Sequence, residues 1–321
     1  MRPGAALTGA LLATLAAPAT WPLGLATFLL RGGFVLVVLP IVVLPSPVGL
    51  GNFLAPVLVT VVLQGLSVEI AAIATLTALS IVTWIFVGGV VAATLEAEGA
   101  RLVAGDDAVS GAVFDIGRDD PARSERIVAA RILAARILAH APTGAAIIWA
   151  ALRFVDVAYR ELTSPVDVTV PIVLRVLTGA PEAAVLLLIA WTAGEVVGGL
   201  AARRIVLDRS GVAGALREAV RATVHHPVGI ILSFLIPLAG LVLVLLPSTL
   251  AATVAWSAVR VAMRSPAEMV LGTLAVLLFV SLWIVGLLLI AVTAAWRAAV
   301  WSVAHRDLWP RPAHRTTLKP G

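Results

Sequence analysis

Ala202-Arg-Arg-Ile-Val-Leu-Asp-Arg-Ser-Gly-Val-Ala-Gly-Ala-Leu-Arg-Glu-Ala-Val-Arg-Ala-Thr-Val-His-His-Pro-Val-Gly229 stands between two long apolar segments. It leaves the first through the basic pair Arg203-Arg204. It then spaces Arg217, Arg221 and His225 four residues apart, which sets them in one stripe of a helix, with Leu216, Ala219, Val220 and Thr223 on other faces. It enters the second apolar segment through Pro227-x-Gly229. Proline suits a helix's first turn, where its missing N–H costs little. A short helix of this kind lies in the headgroup layer and attracts anionic lipid by about 1 kcal/mol per basic residue. Arg203, Arg204, Arg217, Arg221 and His225 are therefore expected to contact lipid headgroups.

The same punctuation recurs. Gly9-Ala10-Leu11 precedes Pro22-x-Gly24 by 13 residues, as Gly214-Ala215-Leu216 precedes Pro227-x-Gly229. His140-Ala-Pro-Thr-Gly144 matches His225-His-Pro-Val-Gly229 at an offset of 85, which sets Arg136 on Arg221. Ala-Arg-Ile-Leu-Ala occurs twice in tandem from Ala130 to Ala139, at good helix propensity. Each Pro-x-Gly opens a first span, at about 22–44, 142–162 and 227–246. Connecting segments follow at 53–65, 170–178 and 252–263. An acidic cap then opens each second span, at about 69–95, 182–202 and 268–295, with capping-box spacing in Ser265-Pro-Ala-Glu268. Arg153, Asp156 and Arg160 make 142–162 the weakest span, with an interfacial helix as its alternative.

Composition agrees. Of 321 residues 60% are hydrophobic and 13% charged, and the mean hydropathy is +1.05. A soluble chain is nearer a quarter charged. The expected fold is an all-α polytopic membrane protein: six transmembrane helices as three helical hairpin repeats, with cytoplasmic interfacial amphipathic helices. One transmembrane domain is expected over 1–304, with repeats at about 4–104, 124–208 and 209–304, and a disordered cytoplasmic tail over 305–321. Residues 4–19 resemble a signal peptide, but their place in the repeat favours a retained interfacial helix. Seventeen of the 23 Lys and Arg residues fall on one side of this arrangement, which predicts both termini in the cytoplasm of a cell membrane. That placement also explains the net charge of +5 without nucleic acid as a partner. There are no cysteines, hence no disulfides, thiolate metal sites or cysteine nucleophile.

Four charges fall at membrane depth. Arg31, Arg153 and Glu195 lie about 13, 16 and 12 Å from the cytoplasmic ends of their spans at 1.5 Å per residue, with Asp156 one turn beyond Arg153. Charges at such depth are costly alone, so they pair and face the protein interior. The set reads as a polar site for an anionic or proton-coupled substrate, or as an ion-pair network holding the hairpins in register. Interruptions at Arg31-Gly32-Gly33, Arg153/Asp156 and Pro237/Gly240 resemble the broken helices of transporters. Gly194 and Gly198 have the spacing of close helix contacts. Asp106, Asp107, Asp115 and Asp119 form an acidic loop whose spacing fits no Mg²⁺-pyrophosphate motif. No HExxH, GxSxG or phosphate-loop motif occurs, so neither metal nor cofactor is expected.

The residues Arg203-Arg204, Val206-Leu207-Asp208, Gly211, Ala215-Leu216-Arg217 and Pro227-x-Gly229 resemble a signature of a broad bacterial and archaeal group of six-span membrane proteins. That group is named after a membrane domain fused to glycerophosphodiester phosphodiesterases. The signature covers about 30 residues, and Val220 stands near the place where the group often has an aromatic residue. The resemblance implies a polytopic membrane protein of poorly defined role and supplies no catalytic residues; with no soluble phosphodiesterase domain in this sequence, that activity is not carried over. The first functional reading is a non-enzymatic membrane protein in envelope organisation or as an accessory subunit. A small transporter or permease is the alternative, and a membrane lipid-modifying enzyme the least favoured.

Overall fold

A computed structural model describes residues 3–41, 56, 59–60, 65, 67–105, 121–164, 169–170, 172–263 and 269–309. The four loop aspartates, the cap Ser265–Glu268, most of 53–65 and the tail beyond residue 309 lie outside them. The described chain is helical: α1 Pro3–Ala16, α2 Thr20–Phe28, α3 Phe34–Val38, α4 Val68–Ala104, α5 Pro121–Ala139, α6 Ala141–Thr163, α7 Ile172–Gly179, α8 Pro181–Asp208, α9 Val212–His225, α10 Pro227–Ala262 and α11 Met269–Leu308.

Local chemistry sets the boundaries. The Ser67 hydroxyl accepts from the Ile70 N–H at 3.3 Å and starts α4. Pro142, Pro181 and Pro227 sit in the first turns of α6, α8 and α10. Arg209, at φ 54°, ends α8 in the left-handed conformation. α2 and α3 form one span broken at Leu29–Gly33, where Gly32 adopts φ 97°. Only glycine takes that conformation without strain. The indole of Trp84 donates to the Leu30 carbonyl at 3.0 Å, satisfying an acceptor at the break.

Six helices among the described residues are long and apolar enough to cross a membrane: Thr20–Val38, α4, α6, α8, α10 and Val270–Leu308 of α11. The chain is a multi-pass membrane protein. α10 and α11 run alongside each other. α11 also packs on α1, α2 and α4, and α8 on α4, α5, α6 and α9.

Three expectations differ. Residues 252–263 are not a separate connection but continue α10, a helix of 36 residues. Pro237 and Pro247 do not end it, because neighbouring helices and side chains re-satisfy freed carbonyls in a membrane bundle. The Ser248 hydroxyl bonds the Val244 carbonyl at 2.7 Å, the ordinary back-bond of a helical serine beside Pro247. α6 likewise runs unbroken through Arg153 and Asp156. Finally, His305 to Leu308 belong to α11 and not to a disordered tail. His305 is buried against Asp208, 2.7 Å away, and Trp309 lies under the Arg204 guanidinium at 4.8 Å.

Packing is uneven. α4 and α11, of 37 and 40 residues, are about 55 and 60 Å long. A hydrocarbon core spans roughly 30 Å. The C-terminal halves of α4, α8 and α11 form one end of the bundle with α1, α5 and α9. Here lies the largest core cluster, including Ala93, Ala97, Ile132, Leu200, Ile205 and Phe234. We call it the basic end. Towards the other end α4 is bare: its most apolar 18-residue window has no buried residue.

Candidate functional site

Small residues bring the basic-end helices close. On α4, Ala93, Ala97, Ala100 and Ala104 are buried. On α8, Gly198, Gly199, Ala201 and Ala202 are buried. On α11, Ala294, Ala295 and Ala299 are buried. A Cβ on Gly24 would come within 2.6 Å of the Ala295 backbone, so α2 and α11 meet where only glycine fits. A Cβ on Gly194 would lie 2.8 Å from the His140 ring, and one on Gly198 3.0 Å from Arg136 Cδ. The two α8 glycines thus admit the last turn of α5.

Charges occupy the space so framed. Glu96 of α4 is 6% exposed and accepts from three arginines. Arg203 Nη1 donates to Oε1 at 2.9 Å and Arg136 Nη2 to the same oxygen at 2.7 Å. Arg31, held at the break between α2 and α3, donates to Oε2. Arg203, only 1% exposed, also donates from Nε to Ser302 Oγ at 3.0 Å and from Nη2 to the Ala298 carbonyl at 2.9 Å. One turn or more towards the membrane interior lies Glu195 of α8. It accepts from Arg297 Nη2 at 2.9 Å, with Arg136 Nη1 at 3.8 Å and His140 Nε2 at 3.4 Å. The side chain of Arg136 joins the two carboxylates.

Four arginines therefore face two glutamates, a surplus of two positive charges before His140 is counted. Burying an ion costs several kcal/mol unless it is paired. Part of the cluster borders open space. A cavity of about 410 Å³ is lined by Arg31, Glu96, Arg136, Glu195, Arg203 and Arg297 together with apolar residues of α2, α10 and α11. Arg31 is the most open of these side chains, at 32% exposure. Ligand sites typically fall in this size range.

Of the expected intramembrane charges, Arg31 and Glu195 line this cavity, but Arg153 and Asp156 do not. Arg153 donates to Asp156 at 2.8 Å and to Glu182 at 2.8 Å, and Arg160 to Asp156 at 2.6 Å. Glu182 is 13 residues before Glu195 on α8, about 20 Å along the axis. The expected common level assumed that α6 starts at the membrane surface. It starts instead beside Gly194, because α5 enters the bundle first. Arg153 is carried towards the opposite end accordingly.

The expected headgroup contacts also divide. Arg217, Arg221 and His225 are exposed on α9, whose Ala215 and Ala219 are buried. Arg203 is no surface residue: it is a centre of the buried cluster. Arg204 is turned to Asp208 and Trp309. Glu96, Arg136 and Arg297 were not singled out from the sequence, since they fall just outside the expected spans. The signal that marks them is their company of alanines and glycines at helical spacing. Among the described residues no group of three His, Asp or Glu could hold a metal ion.

Compared with known proteins, the chain matches no family model, no curated protein and no solved structure.

Proposed function

We propose that this multi-pass membrane protein binds an anion among Arg31, Arg136, Arg203 and Arg297, as a small non-enzymatic transporter or permease. The observation that carries this reading is the surplus of positive charge lining a cavity. Arginines that must share a carboxylate in low dielectric, as Arg31, Arg136 and Arg203 share Glu96, are stabilised by a further anion, and guanidinium groups suit carboxylate and phosphate oxygens. The broken helix beside the cavity supports it further, since transporters build sites at such breaks. A scaffold role is favoured by one feature, the Arg203 guanidinium, whose three nitrogens all have protein acceptors. We assign Arg203 and Glu96 to holding the helices and the more open Arg31 to the ligand.

We assign the basic end to the cytoplasmic leaflet, a reading that rests on the distribution of Lys and Arg. Three hairpin repeats and the family resemblance over Ala202–Gly229 complete the proposal, on sequence pattern alone. The test is thermal unfolding of the protein in neutral detergent, titrated with sodium phosphate against sodium chloride at matched ionic strength. A ligand at 100 times its Kd stabilises by about 2.7 kcal/mol. A saturable rise with phosphate is expected. Identical curves for the two salts would overturn the reading.

A further inference from the structure

A second cavity, of about 420 Å³, shares Arg31, Gly32, Arg136, Trp191 and Glu195 with the first and extends in another direction. Its charged end is this common wall together with His140. Its remaining lining is apolar, with Trp84, Ile85 and Gly89 from α4 and Leu133 and Ile137 from α5. Trp84, Ile85 and Ile137 are 45%, 47% and 41% exposed, so this end is open at the outer surface of the bundle. Trp84 precedes Glu96 by 12 residues, about 18 Å along α4 and away from the basic end. That stretch of α4 is the bare, apolar part of a membrane-crossing helix, which faces acyl chains and not water.

A groove that begins in lipid and ends on arginines is complementary to a molecule with an apolar tail and an anionic head. Resting on the anion reading of the cluster, we propose that the ligand is an anionic membrane lipid. It enters sideways between α4 and α5, its tail along Ile85 and Ile137 and its phosphate against Arg31 and Arg136. A soluble anion has no use for the apolar arm, and a neutral lipid has none for the arginines. The π-face and indole N–H of Trp84 mark the entrance, with the N–H already committed to the Leu30 carbonyl. The entrance is thereby tied to the break that positions Arg31.

The experiment measures the unfolding temperature in mixed micelles containing dioleoyl phosphatidylglycerol or dioleoyl phosphatidylcholine, and separately with inorganic phosphate. It uses wild type, Ile137→Trp and Ile85→Trp. Both substitutions replace exposed side chains with larger ones and fill the groove without touching the arginines, so either serves if the other fails to fold. The expected result is a higher unfolding temperature in phosphatidylglycerol than in phosphatidylcholine. The variants should lose at least half of that difference and keep the wild-type response to phosphate. Three results would overturn the proposal. If phosphate stabilises but phosphatidylglycerol adds nothing over phosphatidylcholine, the ligand is a soluble anion and the anion reading stands. If both variants keep the full lipid difference, the lipid binds elsewhere, with the exposed stripe of α9 the first place to look. If neither phosphate nor phosphatidylglycerol stabilises, the anion reading falls with it.

Discussion

Two groups of charges stand in apolar helices of this chain, and they are held in opposite ways. Around Glu96 and Glu195, charges from α4, α5, α8, α11 and the α2–α3 break converge, and the side chains of Glu96 and Arg203 are 3% and 2% exposed. Around Asp156, among the described residues, charges from α6 and α8 meet, with the side chains of Arg153, Asp156 and Glu182 34%, 52% and 45% exposed. The first group is framed by alanines and glycines, which let five segments come within side-chain reach. The second lies on the outside of the α6–α8 contact, where Ala150, Val157 and Ala183 are buried and the charged side chains face outward. A charge in an apolar segment thus means different things at the two ends. At one it is a buried centre on which packing depends; at the other it is a half-exposed pair on the side of a helix.

Replacing Glu96 with Gln breaks this contrast most severely. It removes the negative charge shared by Arg31, Arg136 and Arg203 and leaves four arginines facing one carboxylate. Breaking a buried pair costs about 3–5 kcal/mol, and here several pairs are lost together. Denaturant unfolding in detergent should show a loss at or above that range, or no folded protein. Gly24→Ala comes next. It keeps every charge but pushes a methyl group into the Ala295 backbone, and overpacking of this kind costs roughly 1–3 kcal/mol. The same change at Gly144 of α6 meets nothing within 4 Å and should stabilise by up to about 1 kcal/mol through helix propensity. A pair of melting curves decides the sign in each case.

The smallest effect is expected at the exposed group. Arg153→Ala should leave the unfolding temperature close to that of wild type, as the loss of an exposed ion pair does. Combined with Glu195→Ala, it should be additive to within about 0.5 kcal/mol, because the two groups share no partner. Coupling well above that value would return Arg153 to the level of Glu195.

How far the sequence speaks can be judged from the same residues. Long apolar runs and Pro-x-Gly entries were enough for six spans, because hydrophobic length and helix starts are local properties. The break at Arg31-Gly32 was legible too, since Gly32 alone permits its backbone. The false breaks at Pro237 and at Arg153 show the limit: whether a helix survives depends on neighbours that local sequence does not name. The site was half legible. Arg31 and Glu195 stand out inside their spans, whereas Glu96, Arg136 and Arg297 sit past the expected membrane edge. They come together because α4 and α11 run well beyond a bilayer's thickness and because α5 enters between α4 and α8. Arg203 misled for the same reason: a basic residue near a span's end looks like a headgroup contact until a second layer of helices covers it.

Arg31 offers the most direct test of the central claim, that the cluster's surplus charge serves a ligand and not the fold. It is the most open of the four arginines, and it shares Glu96 with two others that remain in its absence. The measurement is the unfolding temperature of Arg31→Gln with and without phosphate, beside wild type. The account predicts a ligand-free protein within about 1 kcal/mol of wild type, as for a residue kept for function at little benefit to stability. It also predicts that the phosphate-dependent rise is lost. A variant as unstable as Glu96→Gln, or one that keeps the full response to phosphate, would contradict it.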